Sequence, residues 1–288
     1  MFGQVLFSGL ALGSIYGLVA LGFTVIFKAT DVFNFAQGMF VVLGAYLAVT
    51  AISLLGLPFP LAILFLVIAS ALVGAVIHIL LIQPLSGRPM LSVIMLTIAL
   101  SIVLRSVIEL TYGPQGRTLS TPLPMGVLVV GDVRMSYLHL WAALVSWLCM
   151  AIFGAFFRFT SVGLLMRATA DGHEAAVVSG VNVNAMNRVA WGIGTTLAAI
   201  GGLFLGQLQI ASPELETIGL LALPAVVIGG MQSIPGAIIG GLLVGVIEQM
   251  ASAYISPKSS DIVIYLLLLV ILMVRPWGLF GQRELGRV

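Results

Sequence analysis

Apolar residues run in long unbroken stretches along the chain, and polar ones gather in the short gaps between them. Nine apolar segments stand out, at about residues 3–27, 36–55, 59–82, 90–110, 138–157, 189–211, 218–230, 237–255 and 262–274. Most approach the roughly 20 apolar residues that a helix needs to cross a bilayer. The run at 218–230 is too short to span at about 1.5 Å per residue. The pattern therefore predicts an all-α, polytopic transmembrane helical bundle of about 8–9 hydrophobic segments, some of them discontinuous. The whole chain, 1–288, reads as one transmembrane domain. Between 112 and 136 the Gly-, Pro- and Thr-rich sequence reads as a long loop, and the strongly polar stretch at 158–188 as one or two surface helices.

Composition removes the soluble alternatives. The chain is 60% hydrophobic and 8% charged, against roughly 25% charged in soluble domains. Mean hydropathy is +1.20. A net charge of +2, scattered along the chain, gives no basic patch for nucleic acid. The single Cys149 excludes a disulfide framework. The N-terminal Met-Phe-Gly-Gln carries no basic n-region, so the first segment reads as a retained span.

Basic residues set the expected orientation. With nine alternating segments and a cytoplasmic C-terminus, Lys28, Arg88, Arg158, Arg167, Arg188, Arg275, Arg283 and Arg287 fall inside. Arg117, Arg134 and Lys258 fall outside, and Arg105 lies within a span. The opposite orientation inverts this bias.

Small residues recur every four positions. Gly9, Gly13 and Gly17 do so in the first segment, and Ala198, Gly202 and Gly206 in the sixth. Gly236 with Gly240, and Gly241 with Gly245, do so in the eighth. In lipid, helices associate by close backbone approach, which such stripes permit. Two amide-and-glycine interruptions also look alike: Asn34-Phe35-Ala36-Gln37-Gly38, and Gly229-Gly230-Met231-Gln232-Ser233-Ile234-Pro235-Gly236. They read either as interfacial turns or as non-helical backbone beside a pathway, because such backbone survives at membrane depth only in protein or beside a wet cavity.

Chemistry-bearing residues are few. Arg105 and Glu109 stand at i, i+4 and read as a pair. Glu248 lies within the eighth segment, where a carboxylate needs a partner, a cavity or a proton. His78 and His139 read as interface residues, and the three histidines have no metal-ligand spacing. No Gly-x-Ser-x-Gly elbow occurs, so no catalytic set is predicted. Nor is there a Gly-x4-Gly-Lys-Ser/Thr phosphate loop, so the chain is expected to hold no nucleotide cofactor of its own.

In the polar run, Arg167, Asp171 and Glu174 fall at i, i+4 and i+7; Gly172 interrupts the helix, and Gly180 suits a C-cap. Glu174-Ala175-Ala176-Val177-Val178-Ser179-Gly180 resembles the cytoplasmic motif by which permeases of ATP-binding cassette importers dock on their ATPases. The Ile-x-Leu-Pro that follows it in many importers is absent. Gly163 to Asn182, with Arg167, Ala168, Ala170, Ala176 and Gly180, resembles the permeases of branched-chain amino acid importers. So do Asn34 to Gly38 (with Gln37 in place of the usual His), Thr97-Ile98 with Leu100-Ser101-Ile102, Gly229 to Gly236, and Arg275 to Gly281. The resemblance covers nearly the whole chain and is best to the first of the two permease types in such importers.

That resemblance implies a second homologous permease, two ATP-binding cassette subunits that consume the ATP, and a periplasmic or tethered substrate-binding protein. It implies a bacterial inner (plasma) membrane, with the C-terminus and segment 158–188 cytoplasmic. ATPase coupling is expected of Arg167, Asp171, Glu174, Ala175, Ala176 and Gly180. The polar lining of the substrate pathway is expected from Asn34, Gln37, Thr97, Gln232 and Ser233, with Glu248 as a further pathway residue. The alternatives are a sugar or nucleoside permease of the same superfamily, and a stand-alone ion-coupled transporter or channel, which would rely on Glu248 or the Arg105–Glu109 pair.

Overall fold

The computed structural model describes residues 2–124, 126–130 and 133–281, apart from the side chains of residues 130, 133, 173, 174 and 258. The chain begins with α1 (Phe2–Thr30) and, after an irregular stretch, α2 (Gln37–Val49), which runs on through a π turn at Thr50–Leu54. Next come α3 (Phe59–Ile77), prolonged by a π turn at His78–Ile82 and a 3-10 turn at Gln83–Leu85, and α4 (Met90–Tyr112). A hairpin of β1 (Val127–Val130) and β2 (Val133–Ser136) leads into α5 (Tyr137–Phe159). The polar run forms α6 (Ser161–Asp171) and α7 (His173–Val178), followed by α8 (Val183–Leu208). Short helices α9 (Leu215–Leu220) and α10 (Ala222–Gly229) precede α11 (Ile234–Tyr254) and α12 (Ser260–Val274).

Seven of the helical stretches described are long and apolar enough to cross a membrane, and Leu215–Gly229 and Ser260–Val274 are shorter apolar stretches. An all-α polytopic bundle with discontinuous segments is therefore the observed fold. One departure is the hairpin within the expected 112–136 loop, where Val127 pairs antiparallel with Ser136. The apolar run Val127-Leu128-Val129-Val130 before Gly131-Asp132 carries that signal.

α1 is apolar on all sides because it is enclosed on all sides, by α11, α8, α5 and α10. Its glycine stripe makes this possible. A Cβ on Gly9 would stand 2.8 Å from the Val246 Cα, and one on Gly13 2.8 Å from the Leu242 Cα. Gly17 faces Ile238 of the same helix. Positions rise on α1 as they fall on α11, so the two run antiparallel. Gly241 and Gly245 answer from α11, against Gly17 and Gly13. On α8, Gly202 meets the Val41 carbonyl of α2. The small-residue stripes are thus the helix crossings themselves.

α3 and α5 behave differently. α3 turns Leu61, Leu64, Ile68 and Leu72 outward, and α5 turns Leu144, Leu148 and Ile152 outward, at helical spacing. Such apolar faces belong in hydrocarbon. α4 packs mainly on α2 and leaves much of its surface open.

Helix starts follow from capping side chains that accept from backbone N–H groups left over in the first turn. Thr160 Oγ1 accepts from Gly163 N at 3.0 Å, Asn182 Oδ1 from Ala185 N at 3.0 Å, and Ser233 Oγ from Gly236 N at 3.1 Å.

Candidate functional site

After Thr30 the helix stops, Asp31 takes a left-handed φ of 52°, and residues 31–34 have no regular secondary structure. The chain turns back into the bundle. Gln37 Nε2 donates to the Val19 carbonyl at 3.2 Å. Val19 lies three helical turns before the end of α1, so α2 begins roughly 16 Å within the bundle. Backbone at such depth cannot be left unpaired. Asn34 Nδ2 donates to Gln37 Oε1 at 3.0 Å, and Asn34 Oδ1 accepts from Ala36 N at 3.1 Å. Thr97 of α4 accepts from Phe35 N at 3.3 Å, and its hydroxyl lies 3.1 Å from the Phe33 carbonyl. Asn34, Gln37 and Thr97 therefore meet, all of them buried, and their polar atoms are engaged in holding the re-entrant segment.

Thr97 opens a polar stripe on α4. Ser101, Arg105 and Glu109 follow at successive i+4 positions, on one helical face. Arg105 Nε donates to Glu109 Oε1 at 2.8 Å, the pair expected from the spacing. Two further partners come from α9. Ser101 Oγ donates to Glu216 Oε1, and Glu216 Oε2 lies 3.5 Å from Arg105 Nη1. Glu216 reaches this depth because its backbone carbonyl sits against Gly38, where a Cβ would stand 2.5 Å away. No short-range spacing pointed to Glu216; only its unusual place at the head of an apolar run could have flagged it.

The second interruption lies elsewhere. Ser233 caps α11, and Gln232 and Ser233 line a cavity of about 310 Å3 with Lys28, Asp171 and Phe280. They are thus at the Lys28 end of the bundle, apart from Asn34, Gln37 and Thr97. The segment after α12 folds onto the same turn. Leu279 N donates to Ile228 O at 2.8 Å and Phe280 N to Gly229 O at 3.0 Å. Gly278, at a φ of 76°, sits against Gly230. The two glycine-rich sequence motifs at 229–236 and 275–281 are therefore one packed unit. Glu248 stands apart again, on α11 beside the Tyr16 hydroxyl of α1, where one of its carboxylate oxygens completes no hydrogen bond.

α6 and α7 lie at that same Lys28 end. α6 buries Met166 and Thr169 and packs on α5, α8 and α1. The Arg167 guanidinium sits 5.7 Å from the Phe157 ring centroid and donates to Arg158 O at 3.3 Å. The helix ends at Asp171, so the face shared by Arg167 and Asp171 does not extend to Glu174, which lies in the first turn of the next helix; its side chain lies outside the described residues. α7 ends in a Schellman motif: Val181 N donates to Ala176 O, and Gly180 N to Val177 O, both at 3.0 Å, with Gly180 at a φ of 81°. Ala176 is buried, while Ala175 and Gly180 face out and Val178 is 89% exposed. The element is anchored on one side and presents small and apolar groups on the other. Arg283 and Arg287 lie outside the described residues.

Residues 5–272 match the family described as branched-chain amino acid transport system / permease component. The chain is 31% identical to the high-affinity branched-chain amino acid transport system permease protein LivH of Escherichia coli (strain K12), an alignment covering 100% of this chain and 98% of LivH. It is 32% identical to BraD of Pseudomonas aeruginosa, which bears the same description, over 99% of this chain and 97% of that protein. In structure it resembles PsaBC from Streptococcus pneumoniae in complex with Fab, with a TM-score of 0.51 at 15% identity, over 93% of this chain and 91% of that one. That likeness concerns the fold alone. The chain belongs to the family of branched-chain amino acid transport permeases: it is a membrane-spanning permease subunit of an ATP-binding cassette importer and not an enzyme.

Proposed function

We propose that this chain forms half of a translocation pathway for branched-chain or closely related amino acids in a bacterial inner membrane. A second homologous permease supplies the other half. Two ATP-binding cassette subunits dock at the Lys28 end, which is cytoplasmic, as is the C-terminus. A periplasmic or tethered binding protein delivers substrate to the Tyr112 end. The chain carries no cofactor; its ATPase partners use the ATP.

One observation carries this reading: α7 is held by the buried Ala176 and a Schellman end, yet offers Ala175, Val178 and Gly180 outward. An exposed apolar patch at a membrane protein's polar end marks a docking surface. Its companion α6 touches α1, α5 and α8, and Asp171 shares a cavity with Lys28 and the α10–α11 turn. A push on α7 thus reaches the helices that flank the re-entrant segment. On the pathway side, Arg105, Glu109 and Glu216 need a wet or protein-lined surface, since charge facing lipid is costly. The open face of α4 is where the second permease closes the pathway.

The test is co-purification with the candidate ATPase subunits. Glu174→Lys and Gly180→Trp are each expected to lose the ATPases while the permease stays monodisperse. Retention by both variants refutes the docking assignment.

A further inference from the structure

A cavity of about 390 Å3 lies on the Lys28 side of the re-entrant segment, and none of the residues assigned above to docking lines it. Its roof is Phe33, whose carbonyl is tied to Thr97 and whose ring packs edge-on against Phe23 and Phe27, at 5.9 and 5.0 Å between centroids. Val93 and Ile94, one turn before Thr97 on α4, form an apolar wall with Ile82. Arg88 and Asp31, groups of opposite charge, also line it, Asp31 with an interaction of its own. Arg88 forms no ion pair among the described residues.

Two lining residues are unusual. His78 is 1% and Asn187 6% exposed, yet His78 Nδ1 and Asn187 Oδ1 have no hydrogen-bond partner in the protein. Buried polar groups are nearly always paired. Here the two side chains that carry such unpaired atoms line the same cavity, one in the π turn that prolongs α3 and the other on α8, far apart in sequence.

We propose that this cavity is a weak binding site for the zwitterionic amino acid at the inward end of the pathway, an assignment that rests on the importer reading above. The Arg88 guanidinium suits the α-carboxylate, which it can grip with two parallel N–H donors. Asn187 Oδ1 accepts from the α-ammonium. His78 Nδ1, in either tautomer, hydrogen-bonds the remaining head-group atom. An aliphatic side chain lies against Ile82, Val93 and Ile94, beneath Phe33. The volume lies within the range of small-ligand sites, about 300–1,000 Å3. Weak binding is what a release site requires, because the ligand must leave again. Phe33 and Thr97 then form the partition between this site and the Ser101–Arg105–Glu216 surface.

The test uses the assembled importer in lipid nanodiscs. Cys149, the one cysteine of this chain, is replaced (Cys149→Ala), and Val93→Cys is introduced as a reporter. Labelling of this chain by a small maleimide is timed with and without L-leucine, with L-glutamate as the control solute. For a Kd of about 5 mM, about 20 mM L-leucine slows labelling roughly five-fold. L-Glutamate is expected to leave the rate unchanged, as is L-leucine at a Gln115→Cys reporter in the exposed loop after α4. Adding Arg88→Ala or Asn187→Leu is expected to abolish protection. Equal labelling with and without L-leucine overturns the proposal, as does protection that survives both substitutions. ATPase co-purification and binding-protein-stimulated hydrolysis are read on the same preparation. If both are intact without protection, the cavity assignment falls and the importer reading stands. If the ATPases are lost but protection remains, the proposed docking at α7 falls and the site stands.

Discussion

Ser101 of α4 donates its hydroxyl hydrogen to Glu216 of α9, and so joins two segments that are 115 positions apart. Glu216 also faces Arg105, whose side chain is 43% exposed against 18% for Glu216. The ion pair is partly open to solvent, so its direct worth is about 0.5 kcal/mol. The hydrogen bond from Ser101 matters more, because Ser101 is buried. Glu216→Gln keeps an acceptor for Ser101 and is expected to shift thermal unfolding little. Glu216→Leu removes the acceptor and leaves the hydroxyl unpaired, at about 1–3 kcal/mol. Melting of the detergent-purified permease measures the difference; equal melting of the two variants contradicts it.

The α1–α11 crossing predicts a sharper effect. A side chain on Gly13 meets the Leu242 backbone, not the movable end of a side chain, so the helices must separate to admit it. Gly13→Leu is expected to cost at least the roughly 1–3 kcal/mol typical of overpacking, a large share of a protein's stability, and to lower the yield of monodisperse protein. Gly154 is the control: a Cβ there meets nothing within 4 Å, so Gly154→Ala is expected to be neutral or slightly stabilising. Size-exclusion profiles of the two variants test this.

These crossings were legible beforehand because a four-residue repeat is a local property of one helix. So was the Arg105–Glu109 pair, which needs only i, i+4 geometry. Glu216 was not legible as its third member, since its place depends on how α9 abuts Gly38. The two amide-and-glycine interruptions show the same limit. As strings they look alike, and each reads either as an interfacial turn or as backbone beside a pathway. In the fold Gln37 bonds Val19 deep in the bundle, while Ser233 caps α11 beside Lys28. Composition records that backbone leaves the helix, and not the depth at which it does so.

Thr97 holds the re-entrant segment through one side-chain oxygen, which makes its contribution separable. Thr97→Val keeps the shape and removes the acceptor for Phe35 N and the donor near Phe33 O. The expected loss is about 1–3 kcal/mol, the cost of a buried backbone group without a partner. Thr97→Ser is expected to keep most of the stability. Hydrogen exchange at the Phe35 amide reads the effect directly: it is predicted to speed up in Thr97→Val and to stay protected in Thr97→Ser. Unchanged exchange in Thr97→Val shows that the hydroxyl does not hold the segment.

Gly180 separates backbone strain from steric fit in the coupling element. Its φ of 81° is left-handed, yet a Cβ added there meets nothing within 4 Å. Gly180→Ala therefore introduces no clash, only the cost of an L-residue in that conformation, about 1 kcal/mol. Asn tolerates the left-handed region better, so Gly180→Asn is expected to lie between glycine and alanine. If the Schellman end sets how α7 presents Ala175 and Val178, ATPase affinity falls in the order Gly, Asn, Ala, by roughly five-fold overall, since 1 kcal/mol is about that ratio. Titration of labelled ATPase against nanodisc-held permease gives the order. Equal affinity for all three shows that the docking surface does not depend on the turn, and moves the weight of coupling to α6 and its contacts with α1 and α8.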